Sequence, residues 1–308
     1  MINRNLIRIR IVQIVYSWYQ NKNKDLRSLE KELLFGLQKS YDLYYYLLLL
    51  MVEITKAYEA KVETRRNKFL PTEEDLNPNM RLIENAFIKQ LEQNRQFIKY
   101  LSDYPMSWDD HGSFVKKLLE EILASDLYLN YSTDENTGYD ADKDFWRQAF
   151  RQFIYNNEAL DDLLEDESIY WNDDIETVQS FTLKTIRQFK KEAGEDQQLL
   201  PMFRNFDDKS FALKLLHNTI LNQDEYRELI EEHSDKWDFD RIAFMDMIIM
   251  QVALSEIHTF DDIPTSVSMN EYIELSKSYS TPKSGTFING VLDAIVTKLK
   301  KDSIIFKV

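Results

Sequence analysis

An all-α fold is predicted from three features of this 308-residue chain. Glycine and proline number only 6 each, so long helices meet few breakers and many-turned β architectures are hard to build. Apolar residues recur at spacings of three and four over most of the length. Hydrophobic residues make up 44% and aromatic residues 13%, enough for a sizeable buried core in one large or two ordinary domains.

The elements follow in order. Residues 6–20 form a first helix, with Ile7, Ile11, Ile14, Val15 and Trp18 on one face. Residues 26–66 are helical, as two segments meeting near Gly36 to Ser40, and Arg65, Arg66 and Lys68 suit the negative end of the helix dipole. Pro71 and Pro78 bracket a break. Helices are expected at 80–102, 113–128, 142–158 and 174–192, the last behind the capping residues Asn172 and Asp173. Polar loops lie around Ser132 to Asp140 and Leu163 to Asn172. A helix at 208–222 turns Phe211, Leu215, Leu216 and Ile220 inward, and a short acidic helix spans 224–233. Asp238 caps a helix at 239–257 with a stripe of Ile242, Met245, Ile249, Val252 and Ala253. Ser268 and Glu271 read as a capping box opening a helix that ends near Tyr279. A last helix covers about 286–300 after Pro282 and Gly285.

Several function classes are excluded or weakened by composition. Cysteine is absent, which removes disulfides, thiolate metal sites and cysteine nucleophiles and fits a reducing compartment. The longest apolar run, Leu43 to Val52, is 10 residues, whereas a bilayer span needs about 20. Arg8 and Arg10 interrupt the apolar N-terminal stretch, which does not read as a secretory signal; the expected location is the cytoplasm. None of His111, His217, His233 and His258 has Glu three residues before it, as a di-iron bundle requires. No phosphate-binding glycine loop occurs. No cofactor or metal is expected, and the chain does not read as an enzyme.

The net charge of -15 is unevenly placed. Residues 1–24 carry +5, residues 277–308 carry +4, and the remainder carries -24. If the two basic ends meet, they form a positive patch that the whole-chain pI conceals.

Specific spacings then narrow the reading. Asp246, Glu256, Ile263-Pro264, Asn270-Glu271, Glu274-Leu275-Ser276-Lys277 and Phe287-x-Asn289-Gly290-Val291-Leu292-Asp293 fall in the order and spacing of the NusB family, the bacterial transcription antitermination factors. Arg8-x-x-x-Val12-Gln13-x-x-Tyr16-Ser17-Trp18 resembles that family's first helix. The resemblance implies a discontinuous NusB-like domain from 1–40 and 206–300, a helical, acidic and aromatic-rich insertion from 41–205, and a tail at 301–308. Within the insertion, Tyr41 and Tyr44 to Leu50 read as a core of its own; the alternatives for the block are an added surface for a transcription partner or an acidic lid that tunes RNA access. Two departures stand out. Gln251 replaces the family's Arg, and the N-terminal arginines number three rather than a dense run.

What the resemblance implies is binding without chemistry. Members pair with NusE, a small-subunit ribosomal protein, hold a single-stranded boxA sequence of nascent ribosomal RNA, and support RNA polymerase in an antitermination complex; some pair with themselves. The implied RNA-binding residues are Arg4, Arg8, Arg10, Gln13, Tyr16, Lys277, Lys283 and Phe287. Arginines would contact phosphate, and Gln13 or Tyr16 a base. About five phosphate contacts would give a salt slope of roughly -3.5. Each group has a plainer reading: arginines flanking a buried stripe, and a Phe287 that fills the core instead of stacking on a base. Asn289-Gly290 reads as structural, with Gly290 permitting close helix approach. The alternative function is a helical scaffold that binds proteins and no RNA.

Overall fold

The computed structural model describes residues 1–21, 25–204, 206–234 and 243–305. Fifteen α-helices are seen among them: α1 Arg4–Asn21, α2 Leu26–Arg66, α3 Glu73–Leu76, α4 Ala86–Glu92, α5 Arg95–Asp103, α6 Gly112–Leu123, α7 Asp126–Thr133, α8 Tyr139–Ala149, α9 Glu158–Glu167, α10 Ile175–Gln188, α11 Phe206–Leu221, α12 Gln223–Glu232, α13 Phe244–Thr259, α14 Thr265–Tyr279 and α15 Ser284–Lys301. The all-α class stands; the only β-type pairing among the described residues is an isolated bridge from Ile2 to Phe203. Two compact units result. One comprises Ile2–Gln38 and Phe203–Val308; the other comprises Met1 and Lys39–Met202. We call them the split unit and the central unit.

In the split unit, α13 is the hub: α1, α11, α12, α14 and α15 all pack on it. Its residues from Asp246 to Ile257 are all buried, so no polar face remains. Around it sit Ile7, Ile11, Val12 and Val15 of α1, Phe211 and Leu215 of α11, and Ile288, Val291, Leu292 and Ile295 of α15. The expected cap Asp238 and core residue Ile242 lie outside the described residues. The first 13 residues of α2 also belong to this unit. The helix runs unbroken through Gly36. That glycine has a packing reason: a Cβ there would lie 2.9 Å from Cδ of Arg10.

The central unit has its own core. Tyr44, Leu47, Leu48 and Leu50 of α2 are wholly buried, as are Phe87, Trp146, Phe150 and Phe189. Tyr45 stacks on Tyr100 with centroids 3.7 Å apart, and Tyr46 on Trp108 at 4.1 Å. Several expected helices are split here by side chains that compete for backbone N–H groups. Asn85 accepts from the Ile88 N–H and Asn94 from the Phe97 N–H, so the stretch expected at 80–102 breaks into α4 and α5. Ser125 accepts from Tyr128 N–H and starts α7 inside the helix expected at 113–128. Asn157 caps α9, which occupies part of an expected loop. At α10 the cap position is Asp174, not Asn172 or Asp173, and its carboxylate accepts from the Ser40 hydroxyl.

Candidate nucleic-acid interface

The sequence-predicted RNA residues all fall in the split unit, but in three different situations. Arg8 is the first. It stands on the first helix, and the residue is only 4% exposed. Its Nε and Nη2 donate to Oε2 and Oε1 of Glu256, each at 2.8 Å, and its Nη1 donates to Glu271 at 2.9 Å. Glu256 also accepts from Ser268 Oγ and Tyr272 Oη, both at 2.8 Å. Burial alone would lower the arginine pKa; the Glu256 hydrogen bonds and charge more than offset it, so the group is raised and stays charged. Burial, then the Glu256 carboxylate, pushes the Tyr272 phenol well above its ordinary value. Arg8 is therefore buried and committed internally, with three of its five N–H groups spent on two carboxylates, and is not presented to a phosphate.

This network corrects a second expectation. Ser268 and Glu271 do not cap α14, which begins at Thr265 behind Pro264. Both lie past the first turn, and their side chains face Glu256 and Arg8.

Arg10 is also buried, 6% exposed, with Nη1 donating to Gln13 Oε1 at 2.9 Å and its stem against Gly36. It too is removed from the phosphate-contacting set. Phe287 is 6% exposed and belongs to the core, so it offers no face to a base. Gln251 is wholly buried; it accepts from Tyr19 Oη at 2.9 Å and donates to the Gln223 carbonyl at 3.1 Å, tying α13 to α1 and α12.

The accessible members are Arg4, Gln13, Tyr16, Lys277 and Lys283. Arg4 makes one loose pair with Asp262 at 3.7 Å and lies over the Phe211 ring at 4.8 Å. Tyr16 is 39% exposed, and its ring centroid is 5.8 Å from that of Phe244, itself 43% exposed. Tyr19 also meets Phe244 at 5.5 Å. Phe244 was not singled out from the sequence; only its place at the α13 start, beside the turn of α1 bearing Tyr16 and Tyr19, reveals it. Lys277 is exposed beside Glu274, with which it pairs. Lys283 is exposed at the N-cap of α15, whose first turn holds no acid. A cation there adds to the positive end of the helix dipole instead of balancing it.

The single positive face expected from the two basic ends is not seen among the described residues, outside which Lys22, Lys24 and Lys307 lie. α1 packs on α11 and α13, while α15 packs on α14, α13 and α12. Their common neighbour is α13, and Glu256, Asp262, Glu271 and Glu274 answer much of their charge. The acidity itself is segregated. The split unit carries 19 Lys and Arg against 21 Asp and Glu, a net of -2, which leaves -13 for the central unit. Asn289 and Gly290 are exposed, and a Cβ on Gly290 would meet nothing within 4 Å, so the glycine serves no close helix approach among the described residues. Among the described residues no helix is long and apolar enough to cross a membrane, and no cluster of three potential metal ligands occurs.

Comparison with known proteins places these features in context. The family model described as "NusB family" matches residues 175–297. It starts at the first residue of α10, takes in residues 175–202 of the central unit, and leaves α1 outside. The transcription antitermination protein NusB of Salinibacter ruber is 37% identical over 123 residues, covering 38% of this chain and 77% of that protein. The NusB of Natranaerobius thermophilus is 40% identical over 97 residues, 32% of this chain and 70% of its own length. That of Chloroherpeton thalassium is 38% identical over 99 residues, covering 47% of its length. A solved structure of T. maritima NusB is 28% identical over 38% of this chain and 82% of its own, with a TM-score of 0.29.

Proposed function

The chain belongs to the NusB family, and from that premise we propose that it is a transcription antitermination factor acting by binding alone. In this reading it holds a boxA-type single-stranded segment of ribosomal RNA leader together with NusE, and supports RNA polymerase as part of an antitermination complex. The observation that carries it is the match to curated antitermination proteins over most of their length.

Within that role we assign the work by accessibility. Arg4, Lys277 and Lys283 are the phosphate-contacting cations. Tyr16, backed by Phe244, offers an aromatic face on which an unpaired base can stack, worth about 1–3 kcal/mol. Gln13 supplies a polar edge. Arg8 and Arg10 act indirectly: Arg8 fixes α1 against α13 and α14, so the exposed face of α1 is presented in one position. The near-neutral split unit suits a contact with polyanionic RNA better than the central unit, which would repel it.

The neutralisation of Arg8 and the small number of free cations favour one competing reading, a helical scaffold that binds protein partners without RNA. A gel shift with boxA-containing RNA, with and without NusE, separates the two. Retardation that needs NusE, or is strengthened by it, supports the adaptor reading. Free RNA in both lanes leaves the scaffold.

A further inference from the structure

The central unit contains a cleft of about 670 Å³ that no part of the RNA reading uses. Its size falls within the range of ligand pockets. The aromatic residues Tyr46 and Trp171 are among those lining it, with ring centroids 5.4 Å apart. The polar atoms of both are spent inside the fold: Trp171 Nε1 donates to the Lys39 carbonyl at 2.8 Å and Tyr46 Oη to the Ser107 carbonyl at 3.2 Å. Both rings are themselves nearly buried, Tyr46 stacking on Trp108, so they wall the cleft and offer little surface of their own. Tyr104, 44% exposed, and Ile169, 79% exposed, also line the cleft and add apolar surface that nothing in the unit covers.

The charge around this apolar surface has one sign. Asp166 and Glu167 line it and are exposed; Asp166 has no partner among the described residues, and Glu167 meets only His111, at 3.1 Å. The lining cation Lys39 is paired with Asp42 at 3.1 Å. The unit as a whole carries -13. An acidic rim with low-dielectric walls concentrates positive charge at the mouth. A nucleic acid is repelled by the same rim.

We propose that this cleft docks a basic segment of a partner protein, seating a lysine or arginine side chain against Asp166 and Glu167 and an aliphatic neighbour against Ile169 and Tyr104. The central unit is then a second contact surface, selective for cationic peptide, beside the RNA-facing split unit. The inference stands apart from the RNA reading, since no residue is shared between them.

The test is fluorescence anisotropy of the full-length chain with a labelled peptide of about ten residues rich in lysine, arginine and leucine. The same peptide with glutamate in place of its cations is the control. Diffuse attraction to an acidic protein and docking in the cleft predict opposite signs for one variant. Ile169→Asp adds negative charge, so diffuse attraction would tighten binding; loss of the apolar wall should weaken it about fivefold or more. Asp166→Lys should weaken binding more than Glu135→Lys, which makes the same charge change elsewhere on the central unit. All three positions are exposed, and unchanged far-ultraviolet circular dichroism verifies folding. Equal or tighter binding by Ile169→Asp, equal effects of the two lysine variants, or no binding of the cationic peptide to the parent chain would each overturn the proposal.

Discussion

Arg8 and Glu256, 248 positions apart in sequence, meet through two parallel hydrogen bonds of 2.8 Å in a site closed to solvent. The pair joins the first helix to the hub helix. Removing one partner strands the other charge in the interior, which typically costs about 3–5 kcal/mol. Arg8→Ala and Glu256→Ala should therefore each lower the midpoint of urea unfolding strongly. The double replacement Arg8→Met with Glu256→Met should recover much of the loss, because the one carboxylate left without its partner, Glu271, is 39% exposed and keeps its water. Single variants as stable as the parent chain would show that the pair does not hold the unit together.

Arg4 stands in contrast to Arg8. Its pair with Asp262 is long and exposed, of the kind that contributes about 0–1 kcal/mol. Arg4→Ala should leave the unfolding midpoint nearly unchanged while weakening RNA binding, whereas Arg8→Lys should alter stability first. If Arg4→Ala binds boxA RNA as the parent does, the phosphate contact has been placed on the wrong residue.

Phe287 and Tyr16 separate core from surface. Phe287→Ala removes a buried ring and should cost about 3–5 kcal/mol of stability. Tyr16→Ala should cost little stability and reduce RNA affinity by about 1–3 kcal/mol, the value of one stacked base. Paired thermal melts and RNA titrations on both variants check the assignment; a Phe287→Ala protein that melts normally but loses RNA would reverse it.

Much of the fold was legible because the apolar period of α1, α11 and α15 is local information. The Arg8 site was legible only in part. Arg8, Ile11, Val12 and Val15 share one face of a helix at about 100° per residue, so the arginine lies within the apolar stripe and not at its margin. Nothing local says that its partners are Glu256 and Glu271. Ser268 and Glu271 satisfied a local capping pattern while serving a remote carboxylate and a remote guanidinium. Asn85 and Asn94 broke a periodic stretch because one side-chain oxygen suffices to capture a backbone N–H. Phe244 carried no sequence signal beyond its type, since its neighbours Tyr16 and Tyr19 belong to a distant helix.

Gly290 lies inside α15 with open space where a Cβ would stand. Gly290→Ala should raise stability by about 0.5–1 kcal/mol, read from urea unfolding, because it gains helix propensity and meets no clash. Gly36→Ala should do the reverse, since Arg10 must give way. A destabilised Gly290→Ala would reveal a contact at that face.

Alkaline pH should unfold the chain through its buried phenols. Burial raises the pKa of Tyr44 and Tyr272 above the ordinary value near 10, and the Glu256 charge adds to the shift at Tyr272. A phenol harder to ionise folded than unfolded contributes stability that is complete below about pH 10 and lost as pH rises beyond it. Part of the tyrosinate absorbance should thus appear only together with loss of helical dichroism. Full ionisation of every tyrosine with the helical signal intact would contradict the burial.

Salt dependence of boxA binding in the presence of NusE bears most directly on the account. With Arg8 and Arg10 withdrawn, three cations remain for phosphate, namely Arg4, Lys277 and Lys283. They predict a slope of log affinity against log salt about 2 units more negative than that of NusE alone. The Arg4→Ala, Lys277→Ala, Lys283→Ala triple variant should bring that slope close to the value for NusE alone. A parent slope indistinguishable from that of NusE alone, or a triple variant that keeps the parent slope, would contradict it.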